Sequence, residues 1–306
     1  MKIARITNDG KLLIKGELIE EGVDFFTPKD KEISFKPNGD LHMSGKLMKE
    51  ANPLIRISNI FKVTVNELIE GVDFFTPKDI LGCQLWLDAT TIQANNGDNI
   101  LLWEDLSGNN NHATQTNQSQ QPIFIDNAVV FDGVDDLLEF GENKFNMGLD
   151  DMTFFSVITT TKTTDQTIFS KARLSMQDYR YALRMTRGGV IYAFMQGNGG
   201  NDVTPFGVTN LANGNPHVLV HEFNRSGNLS LYADGIYEGG ASISHWENAN
   251  MVSINPSRLG AYTDSNNISP TRAFEGKIME ILIYDRTLTE SERIEVEQYL
   301  RKKWGV

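Results

Sequence analysis

The chain has 306 residues, 40% apolar, 22% charged and 9% aromatic, a composition that excludes disordered and fibrous classes and allows one large or two modest cores. No run approaches the roughly 18 consecutive apolar residues of a membrane-spanning helix, Met1 to Gly10 lacks a signal-peptide block, and Cys83, the single cysteine, excludes an intrachain disulfide. The formal charge of −12 is uneven: residues 1–79 carry 12 Lys and Arg against 13 Asp and Glu, and residues 80–306 carry 16 against 27. The acidity of the second part, with no basic run interleaved with aromatics along the chain, speaks against nucleic-acid binding.

The N-terminal part is built from repeats. Glu17-Leu-Ile-Glu-Glu-Gly-Val-Asp-Phe-Phe-Thr-Pro-Lys-Asp30 returns as Glu67-Leu-Ile-Glu-Gly-Val-Asp-Phe-Phe-Thr-Pro-Lys-Asp79 with one Glu deleted, and Asp9 to Leu18 is echoed by Asn38 to Leu47. Asp9-Gly10 and Asn38-Gly39 suit hairpin turns that need positive backbone dihedrals. The proline of each Phe-Phe-Thr-Pro-Lys-Asp segment cannot donate to a ladder, so it ends a strand or opens a linker. Residues 1–79 are thus expected to form a small β-repeat module. Units too small to cover their own apolar face stack on neighbours, which predicts docking or homo-oligomerisation.

From Ile80 onward short Val-, Ile-, Phe- and Tyr-rich stretches recur between Gly, Asn and Asp turns. They are Gln84 to Leu87, Ile100 to Trp103, Ala128 to Phe131, Thr153 to Thr159, Arg180 to Met185, Val190 to Met195, His217 to Phe223, Leu229 to Ala233 and Ile278 to Tyr284. This spacing predicts an all-β, two-sheet antiparallel sandwich. Asp234-Gly235 predicts a hairpin turn. The C-terminus alone reads as helix: Thr289 and Glu292 make a capping box, Arg301 to Lys303 complement the dipole, and Val296, Tyr299, Leu300 and Trp304 form the packing side.

Five collinear segments, Leu85-Trp-Leu-Asp-Ala89, Leu102 to Gln115, Val129 to Leu138, Leu231-Tyr-Ala-Asp-Gly235 and Phe274 to Trp304, resemble the concanavalin A-like, laminin-G-like jelly-roll domains. The resemblance spans nearly all of residues 80–306. It implies two stacked antiparallel sheets, often with carbohydrate-binding or adhesive duty. The N-terminal turn, strand, glycine, strand pattern looks like opening modules of virion proteins of tailed bacteriophages, among them fibre and decoration proteins. That likeness implies attachment to other virion proteins, localisation on a phage particle and outward display of the jelly roll.

Glucanases of this sandwich carry carboxylates two and four positions apart on one strand, aimed into one cleft. The sequence lacks that cluster: Glu280 and Asp285 are five apart and would face opposite ways. Neither a Gly-x-Ser-x-Gly elbow, a His-Glu-x-x-His pair nor a phosphate-binding Gly-Lys-Ser/Thr loop occurs. No enzymatic activity is expected. His112 reads as a turn or packing residue, and His217 and His221 share a strand face in a surface or cross-strand role.

Two sites are expected. Asp132-Gly133-Val134-Asp135-Asp136 is a loop where relatives of this fold often hold calcium, with an acid from the penultimate strand that would here be Glu280; the competing reading is a plain turn with solvated carboxylates. For a sugar, Trp246 in the polar stretch Ser244 to Asn250 is the candidate platform, with Tyr262, Asp264, Asn266 and Asn267 as neighbouring contacts. Trp86 and Trp103, at apolar strand positions, read as core. The sequence thus points to a virion structural protein displaying a lectin-like domain toward surface glycan. A purely structural interaction domain and a diverged polysaccharide hydrolase are its rivals.

Overall fold

The computed structural model describes residues 75–171, 180–196, 202–253, 255–263 and 270–306, together with the backbone of five short strands nearer the N-terminus. Contacts divide the chain into two units, Met1–Asp79 and Ile80–Val306. In the first, β1 (Arg5–Ile6) pairs antiparallel with β2 (Leu12–Leu13), and β3 (Ile33–Phe35), β4 (Leu41–Met43) and β5 (Lys46–Leu47) form a three-stranded antiparallel sheet. The Asp9-Gly10 and Asn38-Gly39 pairs fall between pairing strands. The long tandem repeat lies outside the described residues except for its last five. There Pro77–Asp79 forms a single 3-10 turn, closed by the Asp79 carboxylate accepting from Thr76 N at 2.7 Å and Thr76 Oγ1 at 3.0 Å.

The second unit is a sandwich of two eight-stranded antiparallel sheets. The first sheet runs β19 (Ile236–Ser242), β18 (Asn228–Ala233), β17 (His217–Phe223), β12 (Met152–Thr159), β23 (Glu275–Tyr284), β10 (Ala128–Asp132) and β9 (Ile123–Ile125), with β6 (Cys83–Asp88) sharing the free edge of β23 with β10. The second runs β16 (Asp202–Val203), β15 (Val190–Gln196), β14 (Arg180–Thr186), β13 (Gln166–Lys171), β20 (Ser257–Leu259), β11 (Leu138–Phe140), β8 (Ala113–Thr114) and β7 (Leu102–Trp103). A two-stranded ribbon of β21 (Tyr262–Thr263) and β22 (Pro270–Thr271) completes the architecture.

Period-two alternation sends Leu219, Phe223, Leu229 and Leu231 of the first sheet, and Tyr181, Leu183, Met185, Ile191, Ala193 and Met195 of the second, into one shared core. Its centre is aromatic: Phe140, Phe145, Phe154, Phe169, Tyr181 and Phe223 contact one another with ring centroids 5.0–6.2 Å apart. Burial of this much apolar surface is the main source of stability in a chain without a disulfide. The predicted hairpin is present, with Asp234 at φ 51° and Gly235 at φ 84° in the left-handed region.

The Asp105 segment explains one of the collinear motifs. Its carboxylate accepts from Trp86 N (3.0 Å), Ser107 N (2.9 Å), Ser107 Oγ (2.8 Å) and Asn111 N (2.9 Å), while His112 Nδ1 accepts from Asp105 N at 3.0 Å. His112 is a turn residue. One buried side chain therefore ties the Leu102 to Gln115 segment to β6.

The helix α1 (Glu290–Trp304) has its full capping box and ends on Gly305 at φ 73°. It covers the outer face of the first sheet. Arg293 lies 4.1 Å over the Tyr232 ring and pairs with Glu297 at 2.7 Å. Near the C-terminus the helix is pinned by Glu280, whose wholly buried carboxylate accepts from Trp86 Nε1 (2.8 Å), Tyr299 Oη (3.2 Å), Lys303 Nζ (2.6 Å) and Trp304 Nε1 (2.7 Å). Lys303 also reaches Asp88 Oδ2 at 2.6 Å. Trp86 is buried, but beneath the helix rather than between the sheets; Trp103 is wholly inside the core.

Candidate functional site: the outer face of the second sheet

Trp246 is not a sugar platform. It is 7% exposed, ends a 3-10 turn (Ser244–Trp246) and belongs to the core with Ile243. The physical reason is periodicity: Ile243, Trp246 and Ala249 recur every third residue, so one side of this turn dips inward while Ser244, His245, Glu247 and Asn248 stay in water. Buried Arg225 locks the turn, donating to the carbonyls of Trp246, Ala249 (2.5 Å) and Gly148 (3.0 Å). Tyr262 is also buried, 1% exposed. Asp264, Asn266 and Asn267 lie outside the described residues.

The metal expectation is corrected in one residue. Asp132, Asp135 and Asp136 bring carboxylate oxygens within 4.8 Å of one another. Glu280 does not join them. Asp132 is opposite Glu275 in the β10–β23 register, and Glu280 is five residues, about 16 Å of strand, farther along. Its carboxylate faces α1. The acid lying over the loop is Glu275, whose Cβ would sit 2.8 Å from a Cβ added at Gly133; Lys162 Nζ approaches Glu275 Oε2 at 3.8 Å.

The turn reading of this loop holds as well: Asp132 Oδ1 accepts from Val134 N (2.8 Å) and Asp135 N (3.3 Å), and Asp136 Oδ2 from Asp132 N (2.8 Å). Burial, with repulsion from Asp132 and Asp135, pushes the Asp136 carboxyl up to about 6. The native state thus holds a proton that the unfolded chain has lost, and stability contributed by this group falls as pH rises from about 4 through 6. Urea midpoints measured across pH 4–7 are expected to show this decline in the wild type and a shallower one in Asp136→Asn. Equal slopes in both would remove the assignment.

His217 and His221 do share a strand face, but it points inward. His217 Nδ1 is 2.7 Å from Asp234 Oδ2 and Nε2 is 3.0 Å from Asn213 Oδ1, a cross-strand role. His221 is wholly buried, and burial lowers its imidazole to about 3, so it is neutral at physiological pH.

A different constellation occupies the outer face of the second sheet, which no helix covers among the described residues. The β14–β15 hairpin alternates inward Tyr181, Leu183, Met185, Ile191, Ala193 and Met195 with outward Arg180, Ala182, Arg184, Tyr192, Phe194 and Gln196. The register sets Arg184 opposite both Tyr192 on β15 and Thr167 on β13. Arg184 lies 4.9 Å over the Tyr192 ring, and Phe206 stacks on that same ring at 5.2 Å and 21°. Phe206 is 52% exposed. Tyr262 sits among arginines: its hydroxyl accepts from Arg180 Nη1 at 3.3 Å, and Arg272 and Arg184 lie 5.6 and 6.0 Å from its ring centre.

Sequence reasoning placed Tyr262 near a ligand and missed Arg184, Tyr192, Phe206 and Arg272. The signal was available in the alternate positions of Arg180-Tyr-Ala-Leu-Arg-Met-Thr186 and Val190-Ile-Tyr-Ala-Phe-Met-Gln196, which put arginine and aromatic residues on one outward row. A search for basic residues adjacent along the chain cannot see a cluster assembled across strands.

The sequence profile of the concanavalin A-like lectin/glucanases superfamily matches residues 132–292, just over half of the chain and most of both sheets. The chain belongs to that superfamily. Among solved structures of this lectin-like fold, the receptor-binding domain of botulinum neurotoxin D superposes with a TM-score of 0.52 at 15% identity, covering 74% of this chain and 54% of that one. The receptor-binding domain of the botulinum neurotoxin C/D mosaic serotype gives 0.50 at 14%, covering 73% and 52%. The CBM40 of the Ruminococcus gnavus IT-sialidase gives 0.43 at 16%, covering 53% and 96%. At such identities the likeness is one of lectin-like fold, and the chain spans about half the length of the toxin domains. No curated protein matches it.

Proposed function

We propose that residues 80–306 are a non-catalytic lectin-like domain that binds a surface glycan on the outer face of the second sheet. The observation that carries this reading is the Phe206–Tyr192–Arg184 stack, with one aromatic face half open to water beside buried polar groups. A flat apolar ring face packs on such a platform, and neighbouring donors fix the hydroxyls. On the outer face of the first sheet the comparable Tyr232–Tyr237 pair differs in that α1 already supplies its cation, Arg293, which lies 4.1 Å over the Tyr232 ring. The same helix argues against hydrolysis: the cross-strand carboxylates Asp88 and Glu280 are buried beneath it and share Lys303.

Glycan-array screening of the wild type and Phe206→Ala tests the site. The substitution is at a half-exposed ring, so the melting temperature is expected to change little while glycan signal is lost. Equal signal in both proteins, or none in the wild type, would remove the reading.

Calcium is the accessory ligand of this proposal. Asp132, Asp135 and Asp136 are hard oxygen donors whose mutual repulsion a divalent cation would relieve. Calcium titrated into chelator-treated protein is expected to release heat and raise the melting temperature; the absence of both effects would exclude it. Residues 1–79 then dock the domain to other virion proteins on a phage particle and favour a homo-oligomer, a reading supported by their repeats. Light scattering on the intact chain tests the oligomer, and cryo-electron microscopy of the particle tests the placement.

A further inference from the structure

We infer that the ligand of this face is an acidic glycan, its anionic group, carboxylate or sulfate, seated between Arg184 and Arg272. The inference rests on the glycan-binding reading above and adds the ligand's charge. Arg184 is 5% exposed, and its Nε, inside the protein, has no hydrogen-bond partner. Its Nη2 reaches Asp165 Oδ2 at 3.3 Å, and Arg272 Nε approaches the same oxygen at 3.8 Å. Among the described residues, two guanidinium groups therefore share one carboxylate that is itself 45% exposed, an excess of positive charge on one face of a protein with net charge −12.

Thr167, opposite Arg184 in the register, is wholly buried with its hydroxyl also unpartnered, and Thr167 N donates to Arg272 O at 2.9 Å. The arginines thus flank a buried hydroxyl. A buried donor without an acceptor costs about 1–3 kcal/mol, more when charged; on a sheet face that no helix covers among the described residues, an acceptor arriving from outside would relieve that cost. A guanidinium offers planar paired donors that suit a carboxylate or sulfate, and Phe206 offers the ring platform beside it. Burial lowers the Arg184 pKa and neighbouring Arg272 lowers it further, while Asp165 opposes both; an incoming anion would act in the same sense as Asp165. The acidic surroundings disfavour a long polyanion and tolerate a single acid group.

The test titrates the full chain with 3′-sialyllactose, 3′-sulfolactose and lactose, comparing wild type, Arg272→Ala, Arg184→Gln and Phe206→Ala. The wild type is expected to bind at least one acidic probe about tenfold or more tighter than lactose, with affinity falling as salt rises. The two acidic arms identify carboxylate or sulfate. Arg272→Ala, at a part-exposed side chain, is expected to fold and to collapse the ratio of acidic to neutral affinity; it keeps the test valid if Arg184→Gln does not fold. Equal wild-type affinities, or a ratio unchanged in folded Arg272→Ala, would overturn the acidic assignment while Phe206-dependent lactose binding upheld the glycan site. Acidic probes held equally well by Phe206→Ala, with a short DNA duplex competing, would instead overturn the glycan reading and the acidic glycan with it. No binding of any probe would also overturn both.

Discussion

Glu280→Ala is expected to lower the unfolding free energy by about 3–5 kcal/mol, because it removes the acceptor of four donors and half of a buried ion pair. Two indole N–H groups, from Trp86 and Trp304, and the Tyr299 hydroxyl would be left without that partner, and Lys303 would keep Asp88 and the Tyr299 hydroxyl. Burial raises the Glu280 carboxyl, and Lys303 opposes that rise. Glu280→Gln is expected to cost less, since its one amide oxygen still accepts from one of the two indoles, which donate to different carboxylate oxygens. Guanidinium unfolding followed by tryptophan fluorescence measures both, with Trp86 and Trp304 as local reporters. A loss below about 1 kcal/mol for the alanine variant would mean that α1 is held chiefly by Val296 and Leu300.

Asp105→Ala is expected to cost a similar amount, about 3–5 kcal/mol, for a different reason. The carboxylate satisfies three main-chain amides, at Trp86, Ser107 and Asn111, and each becomes a donor without this acceptor when it is removed. Asp105→Asn retains one oxygen and should fall between wild type and alanine. Hydrogen exchange localises the effect: protection is expected to drop at Trp86 and Asn111 while the amides of β17 and β18 remain protected. Uniform loss across both sheets would show that the segment is not a separable clasp.

Both residues illustrate how far the chain could be read in one dimension. The nine strands named from composition all overlap strands of the structure, because period-two alternation and β-branched residues report directly on a pleated, half-buried surface. The helix was legible to its N-cap, since Thr289 and Glu292 act within one turn of their own positions. Short elements such as Gln166–Lys171 and Ser257–Leu259 were not, since they are held by neighbours far away in sequence. Trp246 failed as a platform because polar neighbours on a 3-10 turn report on two of its sides and not on the third. Glu280 failed as a calcium ligand because its side chain was claimed by α1, which begins ten residues later and folds back.

What the amino-acid order alone decided about this protein is local: alternating strands, the Asp234-Gly235 turn, the capped helix, the tandem repeat and the excess of acid in residues 80–306. Only the folded sandwich decided which outer face stays open and which arginines meet there. Arg184 and Arg272 are 88 positions apart in the numbering and yet lean on one carboxylate. Local propensity acts over a few residues, whereas a site on a sheet is assembled from strands whose adjacency is fixed by packing of the whole core.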